Sequence, residues 1–374
     1  MRFLHTADWH IGKKLYGYDL EQEQEDAFKQ IARLAVTQKV DAVVIAGDLF
    51  DRATPSEDAV ARLDRMIIQL NLKLKKPVLA ISGNHDSAVR LNTGREWYKA
   101  TSFFLTTALK DALVPVEFAD TQFFLLPYFR AYQVRNLFDD PEITDTTKAL
   151  QKLICEMKKN FDPAKKHVLV AHFFVIGSSQ LDPEMQPQVG GLNAFSTDLL
   201  TDFDYVALGH LHDKNALKNE KVRYSGAPLK FSLAEAKTKK GVWIVDTAPF
   251  TCDFHEIKPL HDVVLLQGSY QELTTPEYYK QVAATDYVGL QLTDKAVIPN
   301  VINNLRGFYP RIINLERTAK AAAPQAKDQE KLDLSPIQLL QRFFTEMTDS
   351  QISSSQLKWA RESLERIKTE GEGK

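Results

Sequence analysis

Val40-Asp41-Ala42-Val43-Val44-Ile45-Ala46-Gly47-Asp48-Leu49-Phe50-Asp51 is the stretch that decides the fold. Its first seven residues are a β-branched run of strand length, and a Gly-Asp pair ends it. Upstream, residues 20–37 place Phe28, Ile31, Leu34 and Ala35 on one helical face, after a short strand beginning at Phe3-Leu4. Downstream, Thr54-Pro55-Ser56-Glu57 reads as a helix start, with Thr54 as N-cap, Pro55 at the first helical position and Glu57 closing a capping box. That helix carries Leu63, Ile67 and Leu70 on one side, and residues 77–81 follow as a strand. Further strands are expected at 123–126, 167–171, 205–208, 222–224 and 242–245. Short apolar runs alternating with helical patterns favour a layered α/β architecture.

The pattern changes near 256–262. Residues 263–315 read as a small separate unit, with strands at 263–266, 287–292 and 311–315 and helical stretches around 276–284 and 297–305. The run 321–331 has no apolar period and reads as a linker. Beyond it lie two helical patterns on either side of 349–355. The first places Ile337, Leu340, Phe344 and Met347 on one stripe, widened by Leu339 and Phe343; the second carries Leu357, Ala360, Leu364 and Ile367.

The 374 residues carry 47 basic and 49 acidic side chains, with 44% hydrophobic and 26% charged residues. This is the usage of an ordinary soluble globular chain, and it excludes collagen-like, wholly disordered and disulfide-scaffold classes. Cys155 and Cys252 stand far apart and read as reduced thiols of a cytoplasmic protein. No stretch resembles a secretory h-region or approaches the roughly 20 apolar residues of a membrane span. No segment is a basic tail, so composition does not announce a nucleic-acid partner.

Five polar clusters follow five expected strands: Asp8-Trp9-His10, Gly47-Asp48-Leu49-Phe50-Asp51, Gly83-Asn84-His85-Asp86, His172, and Gly209-His210-Leu211-His212. In layered α/β proteins, ligands gather at the carboxyl ends of strands, so the clusters are expected to converge in one crevice. Gly47, Gly83 and Gly209 would allow the tight turns this needs. Each cluster alone has an ordinary reading as a turn, a helix cap or a satisfied core imidazole; five of them in strand-end register do not. Carboxylate, amide and imidazole donors without thiolate suit Mn²⁺, Fe²⁺ or Zn²⁺. The donors are too many for one ion and enough for two that share a carboxylate, the arrangement that serves in-line displacement at phosphorus. His5, His167, His255 and His261 belong to no cluster and are read as structural or surface residues.

These blocks resemble the signature of the calcineurin-like metallophosphoesterases. Their flanks, 5–12 and 203–212, with Tyr224-Ser225-Gly226-Ala227-Pro228, resemble the nuclease branch found in bacterial SbcCD complexes. The resemblance implies a β-sandwich flanked by helices over 1–258, a small α+β capping domain that contacts DNA over 259–320, a linker at 321–334, and a helical hairpin at 335–370 that binds the coiled coil of the ATPase SbcC. It further implies a homodimer of the nuclease chain within a heterotetramer. The activity implied is Mn²⁺-dependent 3'-5' exonuclease work on double-stranded ends, with endonuclease work on hairpins and single strands, in DNA repair, recombination and replication. Asp8, His10, Asp48 and His212 would hold one ion; Asp48, Asn84, His172 and His210 the other. His85 would not be a ligand but would face the phosphate, stabilising charge or protonating the leaving oxygen. One departure stands out. Where the family has Glu-Arg in the loop after His172, this chain has Glu184-Met185-Gln186, which leaves a phosphate contact from that loop unsupported. A rival reading, a phosphoesterase for small substrates, would share the ligands and have no use for 335–374.

Overall fold

In the computed structural model, which describes residues 1–178, 194–296, 298–318, 336–348 and 351–371, two sheets face each other across an apolar core. The first runs, in spatial order, Phe250–Glu256, Gly241–Thr247, Arg2–Thr6, Ala42–Ile45, Val78–Ile81, Phe103–Thr106, and its last four strands are parallel. The second runs Val222–Tyr224, Tyr205–Gly209, Lys166–His172, Thr121–Leu125, Val116–Phe118, the first four parallel.

Strand side chains alternate between the two faces of a sheet, and because both faces are covered the strands Ala42–Ile45, Val78–Ile81 and Tyr205–Gly209 are apolar and buried throughout. Phe3, Val44, Leu79 and Ile81 from the first sheet meet Phe123, Leu125, Val168, Val170, Tyr205 and Ala207 from the second. The alternate residues, Leu4, Val43, Ile45, Val78 and Ala80, face the helices Glu21–Thr37 and Glu57–Ile68 through Phe28, Ile31, Leu63 and Met66. On the outer face of the second sheet, Phe124, Leu169, Ala171, Val206 and Leu208 pack with Leu150, Leu153 and Met157 of Thr146–Lys158. Inside the sandwich, Phe3 meets Phe123 and Tyr205 edge-on, with ring centroids 5.3 and 5.8 Å apart. Such pairs add about 0.5–1.5 kcal/mol each beyond the area they bury.

The helix expected to start at Thr54 begins later. Ser56 is the N-cap, its Oγ accepting from Ala59 N at 3.3 Å, and Thr54 and Pro55 precede the helix. Proline drives the residue before it toward extended backbone, which suits Thr54 to the approach. Capping from Ser56 also puts Glu57 and Asp58 in the first turn, where the helix dipole favours them.

Val263–Gly268, Tyr287–Leu292 and Ile312–Arg317 form a separate three-stranded parallel sheet over its own core of Leu273, Val288, Leu290, Leu292, Leu305 and Tyr309. Its flanking helices are short, Tyr270–Leu273, Pro276–Tyr279 and Val301–Arg306. Val263 and Tyr287 reach into the core of the first sheet, and buried Glu23 accepts from the Tyr287 hydroxyl at 2.7 Å and pairs with His261 at 2.8 Å. Met1–Thr318 is one compact unit. The second, Ala319–Lys374, contains the helices Pro336–Thr348 and Ser354–Gly371. Leu339, Leu340 and Phe343 on the first of these are exposed. The expected linker at 321–334 and the Glu184-Met185-Gln186 departure lie outside the described residues.

Candidate metal centre

All eight candidate residues stand at or just beyond the carboxyl ends of five parallel strands. Asp8 and His10 follow Arg2–Thr6, Asp48 follows Ala42–Ile45, and Asn84 and His85 follow Val78–Ile81. His172 ends Lys166–His172, while His210 and His212 follow Tyr205–Gly209. The first two loops are zipped together: Asp8 N donates to Gly47 O (3.0 Å), His10 N to Asp48 O (3.0 Å) and Ile11 N to Leu49 O (2.9 Å). Asp8, His10, Asp48 and His210 take positive φ values of 54°, 43°, 51° and 92°. For side-chain-bearing residues this backbone is costly and clusters at functional sites. The excluded histidines stay away; His5, for example, sits in the core with Nδ1 2.9 Å from the Tyr205 hydroxyl.

Two donor sets meet at one carboxylate. His10 Nε2 lies 3.1 Å from His212 Nε2 and 3.7 Å from Asp48 Oδ2. On the other side, His172 Nε2 lies 3.2 Å from that same Asp48 Oδ2 and 2.9 Å from Asn84 Oδ1. Asn84 Oδ1 is also 3.0 Å from His210 Nδ1. Asp8, His10 and His212 present atoms within 4.8 Å of one another, and so do Asp8, Asp48 and His172. A third such group, His10, Asp51 and His85, includes two residues that the sequence reading keeps out of the ligand set. Within it, His85 Nδ1 points at the Asp51 carbonyl oxygen at 2.8 Å.

The donor chemistry fits divalent cations. Asp8 and Asp48 are both buried beside four imidazoles, and His10 Nδ1 is buried without a hydrogen-bond partner. Burial pushes Asp8 up to about 6, against the pull of the His172 and His212 rings. Burial works the same way on Asp48, but the charge and hydrogen bond of His172, with His10, hold it well below the usual carboxylate range. Burial disfavours charge on His172, yet Asp48 and Asp8 lift it to about 9. Without a cation, protons must supply the positive charge these carboxylates demand. Orientation is set from outside: His172 Nδ1 is 2.8 Å from Ala46 O, which leaves Nε2 facing the carboxylate.

Of the three glycines expected to make tight turns, only Gly47 is left-handed, with φ +91°. Gly83 and Gly209 are required by close approach instead. A Cβ on Gly83 would overlap Asp48 Oδ1 and Asp48 N, and one on Gly209 would overlap Ala46 O. Gly83→Ala is therefore expected to displace the shared carboxylate, destabilising the fold by about 1–3 kcal/mol through overpacking. Loss of metal affinity should be about 10–100-fold, the range for disturbed support of a ligand. Thermal melts and a Mn²⁺ titration check both, and unchanged affinity would contradict the geometry.

Several residues outside the expected ligand set support it, and of these only Asp86 stands in one of the polar clusters. Asp86 accepts from Leu49 N (3.1 Å), Phe50 N (2.9 Å) and Gly83 N (2.9 Å), tying two loops together. Gln24, on the helix Glu21–Thr37, donates to His10 O at 2.8 Å. Glu235 and Lys240 pack behind His212. Ser232-x-x-Glu235 looks like an ordinary cap, and only the tertiary fold brings it to the site.

A family model described as calcineurin-like phosphoesterase matches residues 1–214, and one described as type 5 capsule protein repressor C-terminal domain matches 259–348. The chain is 31% identical over 359 residues, 95% of its length and 96% of the relative's, to the SbcD component of the nuclease SbcCD from Staphylococcus epidermidis. Among solved structures, a dimetal phosphatase from Danio rerio is 14% identical with a TM-score of 0.43, covering 66% of this chain and 92% of that one. TT1561 of Thermus thermophilus is 11% identical with a TM-score of 0.38, covering 69% and 99%.

Proposed function

The chain belongs to the calcineurin-like phosphoesterase family, and we propose that it is the metal-dependent DNA nuclease of a complex with the ATPase SbcC. The observation that carries this is a complete donor set, Asp8, His10, Asp48, Asn84, His172, His210 and His212, converging beside His85 in a chain matched almost end to end by a nuclease relative. Asp8, His10, Asp48 and His212 would hold one divalent ion and Asp48, Asn84, His172 and His210 a second, both Mn²⁺. When bound, the pair neutralises charge on a phosphodiester and activates water. Every other step falls to the chain. Asp48 Oδ1 accepts from His85 N at 2.9 Å, which fixes His85 to the same carboxylate that joins the two ligand sets. With Nδ1 donating to the Asp51 carbonyl oxygen, His85 keeps Nε2 for a substrate oxygen, as an acid or charge-stabilising donor.

The substrates proposed are double-stranded ends, cut 3'-5', together with hairpins and single strands. Residues 259–320 would cap the crevice and contact DNA, and 335–370, beyond the linker at 321–334, would dock on the SbcC coiled coil. The nuclease would be a homodimer in a cytoplasmic heterotetramer serving DNA repair, recombination and replication. No described helix is long and apolar enough to cross a membrane.

The deciding assay is cleavage of linear and hairpin DNA with each metal ion, with and without SbcC. Mn²⁺-dependent cleavage is expected. Hydrolysis of small phosphoesters with DNA left intact would replace the nuclease reading with the small-substrate one. His85→Ala should keep its metal while turnover falls by about 10²–10⁴. Metal and activity lost in proportion would make His85 a ligand instead.

A further inference from the structure

Behind His212, on the side away from the crevice, lies a buried ionic cluster that the nuclease chemistry leaves unexplained. Glu235 is 1% exposed, and its Oε1 lies 3.6 Å from His212 Nδ1. The same oxygen faces Ser232 Oγ at 3.2 Å and Phe231 N at 3.3 Å. Lys240, also buried, forms a close ion pair with Glu235 Oε2 and donates to His212 O at 2.8 Å. One ammonium thus grips both the backbone of His212 and the carboxylate behind its ring.

We propose that Glu235 is a positioning residue of the metal centre, acting through His212, with Lys240 as the clamp that holds the two together. The inference rests on the reading that His212 is a ligand alongside Asp8, His10 and Asp48. A buried ion pair is a poor source of stability, since apolar side chains of similar volume do as well without the cost of desolvation. Its placement gives it a use. A carboxylate facing Nδ1 favours the tautomer protonated there and leaves the Nε2 lone pair for the crevice, where His10 Nε2 lies 3.1 Å away. A metal-bound histidine backed by a carboxylate is held in orientation and made a stronger donor. Glu235 is suited to this because the Lys240 ammonium, paired with its Oε2, sits on the side away from the ring and leaves Oε1 toward Nδ1.

The test is calorimetric titration of Mn²⁺ into the full chain, for wild type, Glu235→Gln and the double variant Glu235→Gln with Lys240→Met. Melting of the metal-free proteins is followed in parallel. The double variant removes the ammonium that the single one strands, so it keeps the test open if the single variant unfolds. Both are expected to bind Mn²⁺ about 10–100-fold more weakly at one of two sites and normally at the other. A lowered melting temperature with both affinities unchanged would mean a purely structural pair and overturn the proposal. If wild type itself takes up no Mn²⁺, the metal-centre reading fails and this inference with it. If wild type binds two ions and the variants match it, the inference fails alone.

Discussion

Asp48→Ala is expected to abolish metal uptake and DNA cleavage together, leaving a folded but inert protein. Asp48 Oδ2 is the atom common to both donor sets, 3.2 Å from His172 Nε2 and 3.7 Å from His10 Nε2, while Oδ1 accepts from His85 N. Unit charges 4 Å apart repel by about 4 kcal/mol at an effective dielectric near 20, and two dications by roughly four times that. A shared carboxylate offsets much of this repulsion. Asp51 is not placed to replace it: its carboxylate pairs with Lys13 at 3.2 Å and faces His10 Nδ1, on the ring edge away from Asp48. Asp48→Asn, which keeps the shape and removes the charge, should fail nearly as badly. Elemental analysis that finds two ions per chain in the alanine variant would refute the shared role.

The site is legible in the sequence because its donors are carried by loops that local sequence marks well: a short apolar run, a Gly or Asp turn, then a polar side chain. Strand-end register is enough to gather Asp8, Asp48, Asn84, His172 and His210 without knowing the sheet order. The supports are not legible for the converse reason. Gln24, Glu235 and Lys240 sit on a helix, at the end of a short 3-10 segment and just before the strand Gly241–Thr247, where the local grammar is ordinary and only tertiary packing delivers them behind the ligands. Asp86 stands in a marked cluster, but nothing local says that it ties two loops together. The Thr54 expectation fails on a finer point. Thr54-x-x-Glu57 and Ser56-x-x-Ala59 compete for one helix start, and sequence periodicity does not tell which N–H the hydroxyl meets. In the fold, Phe103–Thr106 is almost wholly buried and lacks the alternation that marks a half-buried strand, so it is not among the expected strands. The hairpin partner Phe250–Glu256, an edge strand with no buried residue, alternates Phe250, Cys252 and Phe254 with polar residues and is missed all the same.

Removing residues 333–374 should abolish co-purification with SbcC while leaving metal binding and weak partner-independent cleavage intact. The helices Pro336–Thr348 and Ser354–Gly371 form a unit separate from Met1–Thr318, which holds every proposed ligand. A helix pair of this length is marginal by itself in water, so its apolar stripe needs a surface to cover it. Leu339, Leu340 and Phe343 are exposed on the first helix, and Trp359 is 76% exposed on the second. Burying a large apolar side chain contributes about 1.5–3 kcal/mol, so these four supply on the order of 10 kcal/mol before association costs are met. Helix-on-helix contact with a coiled coil is the geometry such a stripe fits, since both partners present residues at helical spacing. The competing account is that the pair packs on its own phosphoesterase domain. In that case truncation would lower the melting temperature of the remaining chain and leave its affinity for SbcC unchanged. Pull-down and thermal melting of the same truncated protein therefore separate the two, and retained binding would end the docking proposal.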